Sequence, residues 1–166
     1  MSTRGIIARP HGQSWRGRYH HWDSYPAGLG AALWQALHGH FEGDVDAMLR
    51  VLLDEHPAGW STIVDADWTL APGFEDYPDK TARPKCYCHG TRAEAGLGWV
   101  TPDQDTGAEW AYILDAQART MTILEARTRT GTHAVGMFGS NPGRATWREV
   151  AVIGLDGDEP KWKRWG

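Results

Sequence analysis

Two thiols and an imidazole lie within four residues of this sequence, at Cys86, Cys88 and His89. Thiolate sulfur and imidazole nitrogen are ligands that zinc prefers in proteins. If the run from Lys85 to His89 is extended, both sulfurs point to the same side of the strand. We therefore interpret Cys86, Cys88 and His89 as candidate ligands of zinc or another transition metal.

Two other interpretations of this segment stay open, because a single Cys-x-Cys is a weaker metal motif than paired Cys-x-x-Cys motifs. The cysteines can be packed as free thiols beside a hydrogen-bonded histidine. Alternatively, one cysteine can be a nucleophile with His89 as its base. Adjacent residues on a strand point to opposite faces, which disfavours the catalytic pair.

A second concentration of polar and aromatic side chains runs from Tyr19 to Pro26, in the order Tyr-His-His-Trp-Asp-Ser-Tyr-Pro. Alternate residues of a strand point to the same side, so His21 and Asp23 can converge. A carboxylate beside an imidazole fixes its tautomer and raises its basicity, which suits a general base. His21 and Asp23 are therefore the candidate catalytic residues, and either of them, or His20, can supply a fourth metal ligand.

Aromatic rings beside ionisable groups in this segment suit a planar or phosphorylated ligand. The polar loop Ser140–Arg144 can add a phosphate contact through its arginine and its backbone N–H groups. The structural alternative is that the segment is a turn into a helix, with Pro26 setting the bend. The candidate ligand-binding residues are Tyr19, His20, Trp22, Tyr25 and Arg144.

Hydrophobic periodicity predicts a hairpin and two helices before the cysteines. Residues 5–22 alternate as a hairpin does. Apolar residues then recur at helical spacing over residues 29–41 and again over residues 45–56. Histidines on such helices are usually hydrogen-bonded core or surface groups, and we interpret three of them in that way: His38, His40 and His56.

The remainder of the chain predicts a long irregular segment followed by strands. Ser61–Gly107 is rich in Gly, Pro, Asp and Thr, with short strands expected near residues 62–64 and 85–89. From Glu109 onward, strand patterns return at residues 110–114, 121–124 and 149–155. Strands and helices are segregated along the chain, which is typical of the α+β class. We predict a single domain over residues 1–166, with a mainly antiparallel sheet, a two-helix layer and the order ββ-αα-irregular-βββ.

Composition and charge exclude several classes of protein. A chain of 166 residues with 41% hydrophobic and 23% charged residues is typical of one globular domain. Its net charge of −4 disfavours a general nucleic-acid coat, which needs a basic face. No run approaches the roughly 18 apolar residues of a membrane span. Free, adjacent cysteines fit a reducing compartment, so we expect a cytoplasmic protein without a membrane partner.

The chain is also rich in tryptophan, with ten residues of this type. Tryptophan brings a large apolar area and one N–H that needs a partner, so we expect most of these rings in the core. The basic tail 161–166 carries Trp162 and Trp165, which can pack back onto the domain or stack on nucleic-acid bases.

Three segments together carry a resemblance to other proteins: Ser2-Thr3-Arg4-Gly5, the box from Arg18 to Gly28, and Glu109-Trp110-Ala111-Tyr112. The chain resembles a group of uncharacterised small proteins from actinobacteria and phages. Those proteins share a Thr-Arg-Gly start, a His-Trp-Asp-x-Tyr-Pro box and a Glu-Trp-Ala-Tyr strand. The group has no established activity, so the resemblance implies only that the box belongs to a shared design, as a turn or as a site.

Three functions therefore stay open on the sequence alone. The first is a small-molecule or nucleotide-binding protein with a pocket where residues 19–25 meet the irregular segment. The second is a zinc-dependent hydrolase or transferase that uses Cys86, Cys88 and His89, with Asp23 or Glu94 as general base. The third is a protein-interaction module, such as a phage- or plasmid-linked inhibitor, that acts through an aromatic surface.

Overall fold

The computed structural model describes residues 2–74, 81–90, 93, 95–127 and 146–166. Their strands form one seven-stranded sheet in the order β4-β3-β2-β1-β5-β6-β7. The strands are β1 Gly5–His11, β2 Ser14–His20, β3 Trp60–Thr62, β4 Lys85–Cys86, β5 Trp110–Asp115, β6 Thr120–Arg127 and β7 Thr146–Gly154.

The sheet is mainly antiparallel but contains two parallel pairs. Strands β1 and β2 form the predicted hairpin, and β5, β6 and β7 form an antiparallel meander. The parallel pairs are β1 with β5 and β2 with β3. Each joins strands separated by a long connection, as parallel pairing requires. The predicted α+β class, with strands segregated from helices, is confirmed.

Helical segments lie between β2 and β3. A π-helical turn at Pro26–Gly30 leads directly into α1, which spans Ala31–His38. Helix α2 spans Val45–Leu49 and continues as a second π-helical turn, Arg50–Asp54. The Asp44 carboxylate caps α2 by accepting a hydrogen bond of 2.9 Å from the Ala47 N–H. Both α-helices are thus shorter than the apolar periodicity predicts, because neighbouring turns continue the same buried face.

Two apolar clusters cover the two faces of the sheet. The larger one joins the helices to the sheet and includes Ile7, Leu33, Met48 and Tyr112. The smaller one lies on the opposite face around Ile6, Trp15 and Val100. Strand β5 is buried along almost its whole length, because both of its faces are covered.

The C-terminal tail packs onto the helical side of the sheet. Residues Trp162–Trp165 form a 3-10 turn, and Trp162 is buried beside Trp34, with ring centroids 6.3 Å apart. The structure therefore places this tryptophan in the core. No helix in the described part of the chain is long and apolar enough to cross a membrane.

The irregular segment is tied to the sheet edge by the two short strands β3 and β4. His20 of β2 pairs with Trp60 of β3, and Trp60 in turn pairs with Cys86 of β4. These strands lie close to the positions that the sequence predicted. They deliver the cysteines to one edge of the sheet.

Candidate metal centre

Four side chains with soft ligand atoms converge at this edge: His56, Cys86, Cys88 and His89. Their ligand atoms all lie within 4.8 Å of one another. The sulfur of Cys86 lies 3.4 Å from Nδ1 of His89, and the sulfur of Cys88 lies 3.3 Å from the same nitrogen. Nδ1 of His56 lies 3.5 Å from the Cys88 sulfur. We call these four residues the metal centre.

Three of the six separations between the ligand atoms match a tetrahedral zinc ion. Zinc binds sulfur at about 2.3 Å and imidazole nitrogen at about 2.0 Å, which places sulfur and nitrogen ligands about 3.5 Å apart. The three sulfur–nitrogen distances of 3.3, 3.4 and 3.5 Å are close to that separation. Two cysteines with two histidines are also a standard ligand set of structural zinc sites.

The cysteine segment reaches this geometry by bending, not by continuing as a strand. Strand β4 ends at Cys86, and the chain bends from Tyr87 to Gly90. Gly90 has a φ of +96° and packs so tightly against Phe74 that a Cβ would lie 2.0 Å from the Phe74 oxygen. Only glycine fits such a turn. The bend lets His89 join both sulfurs, which an extended segment would prevent.

His56 reaches the centre from the end of the helical layer. It follows the π-helical turn by two residues and precedes Pro57, so it lies beyond the last turn. Gly59 then turns the chain with a φ of +83°, and its carbonyl accepts a hydrogen bond of 3.0 Å from the Tyr87 N–H. This contact places the turn after His56 directly beside the cysteine segment.

Burial sets the protonation of the two most enclosed ligands. His56 and Cys86 are both buried, at 6% and 0% exposure. Burial, with a smaller contribution from His89, lowers the pKa of His56 to about 4. Burial, followed by the neighbouring Cys88, raises the pKa of the Cys86 thiol to about 11. His56 is thus a neutral imidazole at pH 7, and Cys86 becomes a thiolate only when a cation compensates its charge.

Of the residues proposed from sequence as fourth ligand, His20 lies in a different environment. It is fully buried, its Nδ1 lies 2.8 Å from Ser24 Oγ, and its Nε2 accepts a hydrogen bond of 3.0 Å from the Ile63 N–H. Since Nε2 accepts, Nδ1 carries the proton and donates to Ser24. Both ring nitrogens are used, which leaves no lone pair for a ligand.

His21 and Asp23 are not brought together. Nδ1 of His21 lies 2.8 Å from the Tyr19 hydroxyl, and its ring meets the edge of Trp22. Asp23 adopts a φ of 55°, and its carbonyl accepts a hydrogen bond from the Leu29 N–H at 2.9 Å. Strand β2 ends at His20, so the strand alternation on which the predicted convergence depended does not extend to His21 and Asp23.

The remaining candidate ligand-binding residues lie at the surface, beside a cavity or outside the described residues. Trp22 and Tyr25 are exposed by 48% and 37%. Tyr19 lines a cavity together with Tyr87 and Leu97. Arg144 and Glu94 lie outside the described residues, so their predicted roles stay predictions.

Sequence reasoning missed His56, because helical periodicity assigned it to the buried face of the second helix. A signal was nevertheless present in the sequence: His56 immediately precedes Pro57, so it had to lie at or beyond the helix end. No sequence spacing connects it with cysteines 30 and 32 residues further along the chain.

Comparisons with known protein families, with curated proteins and with solved structures found no match to this chain. The site must therefore be interpreted from its own geometry.

Proposed function

We propose that this is a zinc-binding protein in which the metal centre is of the closed, structural type. The observation that carries the proposal is the convergence of two sulfurs and two imidazoles within 4.8 Å. Four protein ligands complete a tetrahedral shell and leave no position for water or substrate. Zinc would then fasten the helical layer, through His56, to the bent segment 86–89.

A structural role fits the part of the chain that surrounds the centre. Residues 63–74 and 95–107 contain turns and bends but no strand, and β3 and β4 are only three and two residues long. So little regular structure supplies few backbone hydrogen bonds. A metal that links distant parts of the chain compensates for this, because its binding energy contributes to folding.

The same ligand count makes a zinc-dependent hydrolase or transferase the less favoured alternative. Catalytic zinc sites keep three protein ligands and an open fourth position. His89 is the most exposed of the four residues, so it is the ligand whose departure would open the centre. A hydrolase that uses Cys86, Cys88 and His56 would require that departure.

The first test is metal content per chain by inductively coupled plasma mass spectrometry, on protein purified without chelator or affinity histidines. We expect about one zinc per wild-type chain and a large loss in Cys86→Ser and in His56→Ala. His21→Ala is the matched control, because His21 was a sequence candidate for the fourth ligand but lies outside the centre. Zinc retained in His56→Ala, or lost in His21→Ala, would contradict this ligand set.

Cobalt substitution tests the geometry itself. Four-coordinate cobalt with two thiolates gives intense visible bands and a sulfur-to-metal charge-transfer band. We expect both in the wild type, and loss of the charge-transfer intensity in Cys86→Ser. A weak, six-coordinate cobalt spectrum would contradict a closed tetrahedral centre.

A small-molecule-binding function is the second candidate, and a specific cavity favours it. A cavity of about 470 Å³ lies where Tyr19 meets the irregular segment, within the size range of small-molecule sites. Its lining residues are Tyr19, Ala58, Tyr87, Ala95, Gly96 and Leu97. Two tyrosine rings with an exposed leucine suit a flat apolar ligand.

A thermal-shift screen of planar metabolites and nucleosides tests this second candidate. A hit should raise the melting temperature of the wild type and lose its effect in Tyr87→Ala. Val152→Ala is the control, because Val152 is an exposed apolar residue on strand β7 and does not line the cavity. A flat screen would count against the cavity as a binding site and leave the zinc proposal intact.

A further inference from the structure

Three arginines lie on one face of the β1–β2 hairpin, around a single tryptophan ring. Arg9 and Arg16 are direct partners in the antiparallel register, and Arg18 follows Arg16 on the same side of β2. The guanidinium carbons of Arg18, Arg16 and Arg9 lie 3.6, 4.1 and 5.5 Å from the centroid of the Trp99 ring. We call Arg9, Arg16, Arg18 and Trp99 the arginine cluster.

The cluster carries more positive charge than the described residues around it balance. Asp54 accepts two hydrogen bonds from Arg9, at 3.0 and 2.8 Å, and it is the one carboxylate that pairs with the cluster among the described residues. Three guanidiniums and one carboxylate leave two positive charges in excess. Like charges directly opposite on neighbouring strands are destabilising. Burial lowers the pKa of Arg18; Asp54 opposes this effect, while Arg16 and Arg9 add to it.

One donor in the cluster is buried without an acceptor. Arg18 is 4% exposed, and its Nε donates to the Leu53 carbonyl at 2.8 Å. The Nε of Arg16 is also buried but has no hydrogen-bond partner in the described part of the chain. A buried donor destabilises the folded state while it stays unpaired. Among the described residues, the cluster therefore lacks both a second carboxylate and an acceptor oxygen for Arg16 Nε.

We propose that the arginine cluster binds the phosphate group of a small phosphorylated molecule. A phosphate monoester carries a charge of about −1.5 to −2 at pH 7, which matches the excess of the cluster. The planar fork of arginine suits two-point contact with phosphate oxygens. Stacking on Trp99 holds the guanidinium planes in place before the ligand arrives.

This site goes beyond the metal centre and is separate from it, since none of the four metal ligands belongs to the cluster. The two are neighbours: Asp54 precedes His56 by two residues, and the electrostatic field of Cys88 reaches Arg18. Arg9 and Asp54 keep 27% and 42% of their side chains exposed, so a ligand can approach from solvent.

The test is isothermal titration of inorganic phosphate, and then of adenosine monophosphate against adenosine, at low ionic strength. The protein is used as purified, with its zinc content measured separately, so that failure here is distinguishable from failure of the zinc proposal. Arg16→Met keeps an unbranched stem beside Trp99 but removes the charge. We expect saturable phosphate binding that weakens at least tenfold in this variant.

Arg50→Met is the matched control, because the Arg50 side chain is 65% exposed and pairs with Glu55 on the surface. It should bind phosphate within twofold of the wild type. Absence of saturable binding, or equal binding by Arg16→Met, would overturn the proposal. Equal affinities for adenosine and adenosine monophosphate would also overturn it. The same holds if a DNA oligonucleotide binds while inorganic phosphate and adenosine monophosphate do not.

The melting temperature separates a binding site from a merely structural cluster. Without ligand, Arg16→Met should melt at or above the wild-type temperature, because it removes a repulsive charge and an unpaired donor. Phosphate should raise the melting temperature of the wild type and leave that of Arg16→Met unchanged. Two results together would show that Arg16 is structural. The ligand-free variant would melt well below the wild type, and phosphate would leave the melting temperature of the wild type unchanged.

Discussion

Two buried histidines of this protein, His20 and His56, differ in the groups that surround their ring nitrogens. Both are nearly inaccessible, and burial lowers the pKa of both, to about 3 for His20 and about 4 for His56. The two nitrogens of His20 are satisfied by Ser24 and by the backbone of Ile63. His56 instead faces the thiol of Cys88 and the ring of His89.

The comparison teaches that residue type and burial do not identify a metal ligand. His20 belongs to a network that holds the turn after β2: Ser24 Oγ also donates to the His20 carbonyl, and the Tyr112 hydroxyl donates to the Ser24 carbonyl at 2.7 Å. His56 belongs to a group whose ligand atoms lie within 4.8 Å of one another. The partners that the fold places around each imidazole, and not its burial, separate the two environments.

The largest effect should come from removing the metal. Zinc at a thousand times its dissociation constant stabilises the folded state by about 4 kcal/mol, provided that it binds the native chain alone. We therefore expect a chelator to lower the melting temperature of the wild type markedly and that of Cys86→Ser scarcely at all. Differential scanning calorimetry with and without chelator measures this difference. An equal response of the two proteins would remove the distinction between the histidines.

The next effect is the loss of the His20 network. His20→Gln disturbs two buried hydrogen bonds, and an unpaired Ile63 N–H costs about 1–3 kcal/mol. We expect urea denaturation to show a loss of that size, with zinc content unchanged. A variant that loses zinc but keeps its stability would reverse the roles assigned to His20 and His56.

A third effect, smaller for each pH unit than the effect of removing zinc, is the dependence of stability on pH. His20 has a lowered pKa in the folded state, so between about pH 6.5 and pH 3 this residue binds one proton more in the unfolded chain than in the folded chain. Its contribution to stability is complete above pH 6.5 and is lost as the pH falls, at about 1.4 kcal/mol per pH unit. Urea midpoints across this range should fall more steeply for the wild type than for His20→Gln. Equal slopes would show that His20 does not carry the dependence.

The smallest effect is expected at His21, which is half-buried and bonded to the Tyr19 hydroxyl at the surface. His21→Ala should change the free energy of unfolding by no more than about 0.5 kcal/mol. Its zinc content should equal that of the wild type. A larger loss, measured by urea denaturation, would place His21 in the structural network beside His20.

Local periodicity predicted the helical layer, the first hairpin and the final meander correctly, because each depends on neighbouring residues. It did not distinguish parallel from antiparallel pairing, since side chains alternate with the same period in both. The pairing of β1 with β5 joins residues about 105 positions apart. No local pattern contains that information.

The candidate site also combines features that neighbouring residues determine with features that only tertiary packing determines. Cys86, Cys88 and His89 were recognisable as a group, because they are neighbours and of ligand types. Their common direction depends on the bend through Gly90, and His56 depends on the packing of the helical layer. The arginine cluster was not visible in the sequence either, because Arg9 and Arg16 face each other only in the register of the hairpin.

The sequence by itself determined the class of fold and the position of the candidate soft ligands along the chain. These properties follow from composition and from contacts between residues close in the chain. Only the tertiary structure decided which histidine joins the cysteines and which arginines gather around Trp99. Those choices depend on the directions of side chains from elements far apart in sequence, and only the packing of the sheet and its helical layer sets these directions.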